Sequence, residues 1–226
     1  MTVLEQKPVF QAKDPISSLT HLIGMILSVA ATPAVLVHAA SFGLYQTQII
    51  SVAVFMMTMT MLYGASASYH AFHISSRADR ILRKLDHANI FLLIAGSYTP
   101  VCLLAMKEHG TILLAVVWLI ALAGMIFKLC WITCPKWVSS LIYISMGWAC
   151  AFFLPELRNT LGSGFLLLLM EGLFYTAGGV LYALRLPLFP NEKTTGFGNH
   201  ELFHLFVMAG SFFHFLLVWF TLIPLA

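Results

Sequence analysis

Residues 200–224 read HELFHLFVMAGSFFHFLLVWFTLIP, and this apolar run decides the fold. A helix of about 20 predominantly apolar residues crosses the ~30 Å hydrocarbon core of a membrane. Residues 201–224 are long enough for one crossing, although histidines and a glutamate interrupt the run. Ionisable side chains are costly inside a membrane and usually mark functional sites. The segment therefore predicts a transmembrane helix that carries polar chemistry.

The composition of the chain places its remainder in the membrane as well. Apolar residues make up 60% of the 226 residues and charged residues only 9%, whereas soluble domains have about 25% charged residues. The mean hydropathy is +0.89. Apolar runs of spanning length occur at residues 18–40, 47–70, 86–106, 111–130, 137–155, 163–184 and 201–224. We expect an all-α integral membrane protein, a seven-transmembrane-helix bundle formed by residues 18–226 after a short cytoplasmic N-terminal segment, residues 1–17.

The distribution of lysine and arginine predicts the orientation, because short basic loops stay in the cytoplasm. With a cytoplasmic N-terminus, only two of the 12 basic residues, Lys107 and Arg158, face outward. The others are Lys7, Lys13, Arg77, Arg80, Arg83, Lys84, Lys128, Lys136, Arg185 and Lys193. We expect a multi-pass protein of the cell (plasma or inner) membrane with its C-terminus outside and membrane lipids as partners. The sequence has no soluble region in which basic and aromatic residues are interleaved, so it does not favour a nucleic-acid partner. It also does not predict an oligomeric state.

Four ionisable groups are predicted to share one depth near the cytoplasmic side. His200 and His204 stand four residues apart at the inner end of the seventh span, so their imidazoles lie on one helix face. The second span ends at the same side with His70, and the third begins there with Asp86. Three histidines and a water form the open tetrahedral arrangement of catalytic zinc. The pattern therefore predicts a Zn²⁺ site whose ligands are His70, His200 and His204.

Asp86 and Ser66 are the candidate catalytic residues beside this site. Asp86 either binds the metal or accepts a proton from the metal-bound water as a general base, and we favour the second role. Ser66 precedes His70 by one helical turn, so its hydroxyl could orient the water or stabilise an oxyanion. A serine that bonds back to a carbonyl of its own helix explains Ser66 almost equally well.

These motifs resemble those of the haemolysin III family, the bacterial arm of the progestin and adipoQ receptor superfamily, which is related to alkaline ceramidases. The resemblance rests on SASYHAF, LDHANIFLLIAGSYTP and HELFHLFVMAGSFFH, and covers nearly the whole chain. It implies seven transmembrane helices and a cytoplasmic-side zinc site with the three histidine ligands, the aspartate and the serine named above. One element departs from the pattern. The family often has Glu, two residues and Asn before a Thr-His or Ser-His pair, where this chain has Asp14, Ser17, Thr20 and His21.

A second polar pair is predicted in the outer half of the bundle. At about 1.5 Å per residue, His214 lies roughly 15 Å outward from His204, too far to share its metal. Glu171 lies midway along the sixth span at a similar depth. The two side chains are expected to form a buried pair, either structural or part of a proton relay.

Three functions are compatible with these features. The first is a zinc-dependent, ceramidase-like hydrolase that cleaves an amide or ester bond of a lipid substrate in the bundle cavity. The second is a channel or transport component with Glu171 and His214 as an outer polar station. The third is a receptor-like or membrane-lytic protein whose zinc is a structural clamp on three helices.

Overall fold

All regular elements are helices in the computed structural model, which describes residues 12–184 and 188–226. The α-helices are α1 (Pro15–Ser41), α2 (Gln46–Ala71), α3 (Ser76–Pro100), α4 (Gly110–Cys130), α5 (Lys136–Gly147), α6 (Leu154–Leu161), α7 (Phe165–Leu184), α8 (Glu192–Thr195), α9 (Asn199–Leu217) and α10 (Ile223–Leu225). Short π-helical segments follow α3 and α9, and 3₁₀ turns join α5, α6 and α7. The predicted all-α class is confirmed. Residues 1–11 of the predicted N-terminal segment, and Arg185 among the predicted cytoplasmic basic residues, lie outside the described residues.

Within the described residues, six helical stretches are long and apolar enough to cross a membrane. They are Pro15–Ser41, Gln46–Ala71, Ser76–Ala105, Gly110–Cys130, Lys136–Leu184 and Asn199–Leu225. Their outward surfaces carry large exposed apolar side chains, such as Leu27, Val37, Leu119 and Ile126. An apolar surface of this extent suits contact with lipid tails rather than water. The chain is a multi-pass membrane protein, as predicted.

The stretch Lys136–Leu184 contains 49 residues, about twice the length that one crossing needs. It folds back on itself, because α5 packs against α7. Trp148 Nε1 donates a hydrogen bond to Thr176 Oγ1 at 2.9 Å across the two halves. Between them, Gly162 has a φ of +54°, in the region that favours glycine. The stretch covers the fifth and sixth spans predicted from the sequence.

The helices form a ring around a central space. In order, α1, α2, α3, α5, α7 and α9 each pack against the next, α9 returns to α1, and α4 packs outside against α3. Small residues permit the close contacts. A Cβ atom added to Gly96 would lie 2.0 Å from Thr58 Oγ1, and one added to Gly178 would lie 2.9 Å from Phe206 Cβ. At both positions the absence of a side chain lets the helices approach closely.

The start of α1 and the end of α9 lie at opposite ends of the bundle. Near the start of both helices, Ser17 Oγ donates a hydrogen bond to Glu201 Oε1 at 2.5 Å. Near their ends, the His38 and Trp219 rings stack with centroids 4.2 Å apart. The two helices therefore run parallel.

The third helix begins earlier than the sequence predicted. The third span was predicted to begin at Asp86, whereas α3 starts ten residues earlier, at Ser76. Ser75 is its N-cap, whose Oγ accepts a hydrogen bond from the Ala78 N–H at 3.2 Å. Asp79 adds a negative charge to the first turn, where the helix dipole favours it. The basic residues of this segment thus lie on a helix that projects beyond the apolar span.

Candidate metal centre

Three imidazoles meet where the end of α2 approaches the start of α9. One nitrogen from each of His70, His200 and His204 lies within 4.8 Å of the other two. His70 Nε2 and His200 Nε2 are 3.1 Å apart. His70 and His204 are buried and His200 is half-buried. This histidine cluster could hold a metal ion, and the described part of the chain contains no other such group of histidine, cysteine and carboxylate side chains.

Asp14 fixes the orientation of His70. Its Oδ2 lies 2.8 Å from His70 Nδ1. A carboxylate only accepts hydrogen bonds, so His70 Nδ1 carries the proton and Nε2 is left with a lone pair toward the cluster. Carboxylate–histidine pairs of this kind orient metal ligands in many sites. The Asp14 N–H also donates to the His70 carbonyl at 2.8 Å, which ties the start of α1 to the end of α2.

Glu201 connects α9 to α1 and does not belong to the histidine cluster. Its Oε2 accepts a hydrogen bond from the Gly198 N–H at 2.8 Å, which caps the first turn of α9. Its Oε1 accepts from Ser17 Oγ. Both oxygens of this buried carboxylate therefore have donors. Glu201 fixes the position of the helix that supplies His200 and His204.

His204 is packed against a fourth histidine. The ring of His21 stacks on that of His204 with centroids 3.7 Å apart and planes inclined by 6°. Thr20 Oγ1 lies 3.4 Å from His204 Nδ1. His21 is buried, and neither of its ring nitrogens has a hydrogen bond of normal geometry. The N-terminal element that departs from the family pattern thus contacts the histidine cluster directly.

Sequence reasoning gave no role at the cluster to Asp14, Ser17 or Glu201. A signal was available for the first two. Together with His21 they follow the helical spacing i, i+3 and i+7, which puts three polar side chains on one face of an otherwise apolar helix. Only the fold shows that this face turns toward α2 and α9.

Asp86 and Ser66 face the same cavity as the histidine cluster. Asp86 is buried and is not part of the group of atoms that lie within 4.8 Å of one another. Its Oδ2 is 3.2 Å from His87 Nδ1. Ser66 neighbours Asp86, but its buried Oγ makes no hydrogen bond of normal geometry. The explanation that Ser66 bonds back to its own helix is therefore wrong.

The remaining polar pairs lie away from the cluster. His73 Nδ1 is 2.6 Å from Asp79 Oδ2 at the exposed start of α3. In the other half of the bundle, His214 Nδ1 is 2.7 Å from Glu171 Oε2. Their side chains are 1% and 9% exposed. The predicted buried pair of Glu171 and His214 is confirmed.

A cavity inside the ring of helices joins these two polar regions. Its volume is about 150 Å³, and its lining includes His200 and His204 at one end and Glu171 and His214 at the other. Between them the lining is mainly apolar, with residues such as Leu62, Ile94, Leu168 and Val207. The cavity is therefore suited to an elongated apolar molecule with polar groups.

The fold and this cluster define a multi-pass membrane protein with a candidate metal centre at one end of a helix bundle. Residues 10–215 match the haemolysin-III-related family, and the chain belongs to that family. It is similar to Hemolysin-3 of Bacillus cereus, with 34% identity over 220 residues, 96% of this chain and 95% of the relative. The Hemolysin-3 homolog of Bacillus subtilis (strain 168) is 34% identical over 205 residues, which cover 89% of this chain and 91% of that protein.

A wider relationship extends to eukaryotic receptors. The adiponectin receptor protein of Drosophila melanogaster is 25% identical over 213 residues, 87% of this chain and 48% of the receptor. This similarity places the chain in the progestin and adipoQ receptor superfamily, as its motifs predicted.

Proposed function

We propose that the chain is a seven-span, zinc-dependent hydrolase that cleaves an amide or ester bond in a membrane lipid. One observation carries the proposal: three convergent imidazoles stand at the end of a largely apolar cavity that Asp86 and Ser66 also face. A metal, a carboxylate and a hydroxyl donor beside a largely apolar space are the parts that metal-assisted hydrolysis of a lipid needs.

The parallel arrangement of α1 and α9 supports seven crossings. Ends that lie on opposite sides of the bundle require an odd number of crossings, and the folded-back stretch Lys136–Leu184 supplies two of them. The basic start of α3 lies at the end of the bundle that holds the histidine cluster. By the positive-inside rule that end is cytoplasmic, which puts the N-terminus inside and the C-terminus outside.

The donor set fits zinc. Nitrogen ligands about 2.1 Å from a tetrahedral zinc lie roughly 3.4 Å apart. His70 Nε2 and His200 Nε2 are 3.1 Å apart, and the three histidine nitrogens lie within 4.8 Å of one another. Three protein ligands leave the fourth position open, as in catalytic rather than structural zinc sites. When bound there, zinc supplies a Lewis acid and a water that ionises near neutral pH.

Asp86 and Ser66 supply the remaining chemistry in this proposal. Asp86 is not among the clustered atoms, and with Oδ2 paired to His87 Nδ1 its other oxygen would take the proton of the attacking water. As the carbon–nitrogen or carbon–oxygen bond breaks, Asp86 returns the proton to the leaving amine or alcohol. Ser66 Oγ, which makes no hydrogen bond of normal geometry, would donate to the carbonyl oxygen, on which negative charge develops.

Turnover by the purified protein tests this function. A fluorescent N-acyl amide and the matching acyl ester are incubated with the chain in lipid nanodiscs, with and without a zinc chelator. We expect hydrolysis that the chelator abolishes, that Asp86→Asn abolishes, and that Ser66→Ala lowers about 10²–10³-fold, as for other lost oxyanion donors. His73→Ala is the matched control, because His73 pairs with Asp79 away from the cavity.

Hydrolysis that persists in Asp86→Asn would contradict the proposed general base. Ion flux through liposomes that is insensitive to metal removal would instead support transport. The mainly apolar lining between the two ends of the cavity is a poor path for ions, which is why we propose hydrolysis.

A further inference from the structure

We infer that Glu171 and His214 form a second binding site in the cavity, which takes a hydroxyl group on the hydrocarbon chain of a lipid. This inference rests on the proposed function in one respect, the placement of the polar head of the lipid at the histidine cluster.

An unpaired polar atom marks the site. His214 Nδ1 and Glu171 Oε2 are 2.7 Å apart, and in this contact the ring N–H donates to the carboxylate oxygen. The other ring nitrogen, Nε2, is buried and has no hydrogen-bond partner. His214 is 1% exposed and lines the cavity. Buried polar groups are nearly always paired, so the orphaned Nε2 indicates a group that is bound there in use.

Contacts with Glu171 and Phe55 fix the orientation of the His214 ring in the cavity. Glu171 holds Nδ1, and Phe55 packs on the ring of His214 edge-on, with centroids 4.4 Å apart. Rotation of the imidazole would break the first contact and disturb the second. Nε2 therefore keeps one direction, which is the requirement for recognising a single polar atom on a ligand.

A hydroxyl is the group that suits Nε2 best. The nitrogen presents a lone pair when the ring is neutral and an N–H when it is protonated. A hydroxyl donates and accepts, so it satisfies Nε2 in both states. A wholly apolar chain would leave Nε2 unpaired, at a cost in affinity.

The distance between the two polar ends of the cavity determines where along the lipid the hydroxyl must lie. His204 and His214 are ten residues apart on α9, which corresponds to about 15 Å along a helix that rises about 1.5 Å per residue. The lining between them is mainly apolar. The ligand class is therefore a long-chain lipid with a hydroxyl near mid-chain and a carboxyl or acyl group at its head.

Two fatty acids that differ in this group test the inference. Ricinoleic acid carries a mid-chain hydroxyl that oleic acid lacks. Binding of each acid to the full chain, purified in detergent, is measured by competition with radiolabelled oleic acid. One buried hydrogen bond corresponds to about a tenfold difference, so ricinoleic acid should bind about tenfold more tightly.

Two variants identify the source of the preference. The double change Glu171→Leu with His214→Phe replaces the pair with apolar side chains and leaves no buried charge, and we expect it to bind both acids with equal affinity. Glu171→Gln keeps an oxygen that accepts from His214 Nδ1, and should keep the preference. Equal affinities in the natural chain, or an unchanged preference in the double variant, would overturn the inference.

The outcome is distinguishable from a failure of the proposed function. If the protein binds no zinc or hydrolyses no lipid, the proposed hydrolase function fails, but the preference for ricinoleic acid should remain. If the two acids bind with equal affinity while hydrolysis is normal, only the inferred hydroxyl site fails. If neither acid binds, the hydroxyl site and the lipid-binding cavity both fail.

Discussion

At the scale of single residues, two aspartate–histidine pairs in this chain have the same chemistry and different surroundings. Asp14 contacts the Nδ1 of His70, whose side chain is 4% exposed, whereas Asp79 contacts the Nδ1 of His73, whose side chain is 73% exposed. Solvent around the His73 ring weakens the second pair. In the first pair Asp14 is itself 45% exposed, but the His70 ring that it holds is buried beside two other imidazoles. The same contact therefore matters for metal binding only at His70.

Asp14→Asn tests this difference. An amide is a weaker acceptor than a carboxylate, so His70 loses basicity and orientation, and zinc affinity should fall about 10–100-fold. Zinc affinity is measured by competition with a chelator of known strength. Asp79→Asn is the matched control and should bind zinc as the natural chain does. Equal losses in the two variants would show that Asp14 has no special role.

The pair of Glu171 and His214 is expected to be energetically coupled. Each single change, Glu171→Gln or His214→Phe, disturbs a buried pair whose donor and acceptor are 2.7 Å apart. Each should destabilise the protein by about 1–3 kcal/mol, because His214→Phe leaves the buried carboxylate without its donor and Glu171→Gln replaces a charged acceptor with a weaker neutral one. The double variant should be less damaged than the sum of the two. Thermal unfolding in detergent measures all three, and simple additivity would contradict the coupling.

Residue types and spacing predicted the three clustered histidines, because the i, i+4 pair in α9 and the end of α2 fix their depth. Spacing did not reveal that Asp14 reaches His70, since that contact depends on how α1 leans on α2. His21 was named only in the element that departs from the family pattern, because its stacking on His204 depends on the packing of α1 against α9. Contacts between helices were the part that one sequence could not supply.

At the scale of helices, apolar length predicted each spanning stretch, but not where the third helix begins. Hydropathy reports the part of a helix that lies in lipid. The start of α3 is polar and is stabilised by Ser75 as N-cap. Its helical structure therefore depends on capping and not on the apolar length that predicts the span. The fifth and sixth predicted spans appear as one helical stretch folded at a turn, because 3₁₀ segments keep the chain helical through the reversal.

The contact of α2 with α3 depends on the absence of a side chain at Gly96. A Cβ there would lie 2.0 Å from Thr58 Oγ1 and 2.9 Å from Thr58 Cβ, so the helices would have to separate. Gly96→Ala should therefore destabilise the protein by about 1–3 kcal/mol. Gly147→Ala is the control, since no atom lies within 4 Å of the added Cβ. Thermal unfolding measures both variants. Thr58→Ala combined with Gly96→Ala should recover part of the loss, and a double variant without recovery would place the strain elsewhere.

At the scale of the whole molecule, the orientation in the membrane decides which compartment the histidine cluster faces. Ile74→Cys introduces a thiol at an exposed position beside the basic start of α3, and Tyr45→Cys introduces one at the opposite end of the bundle. Both are made in a Cys130→Ser background, because Cys130 is exposed. A membrane-impermeant thiol reagent should label Tyr45→Cys in intact cells and Ile74→Cys only after the cells are opened. The reverse pattern would invert the proposed topology.

The zinc content of four purified variants tests the central claim most directly. His70→Ala, His200→Ala and His204→Ala each remove one of three imidazoles, so elemental analysis should find little zinc in any of them. Asp86→Asn should keep most of its zinc and lose hydrolysis, because the aspartate is proposed to act on the water without binding the ion. Full zinc in all three histidine variants would contradict the metal centre. Complete loss of zinc in Asp86→Asn would make Asp86 a fourth ligand, and the site would then be closed and structural.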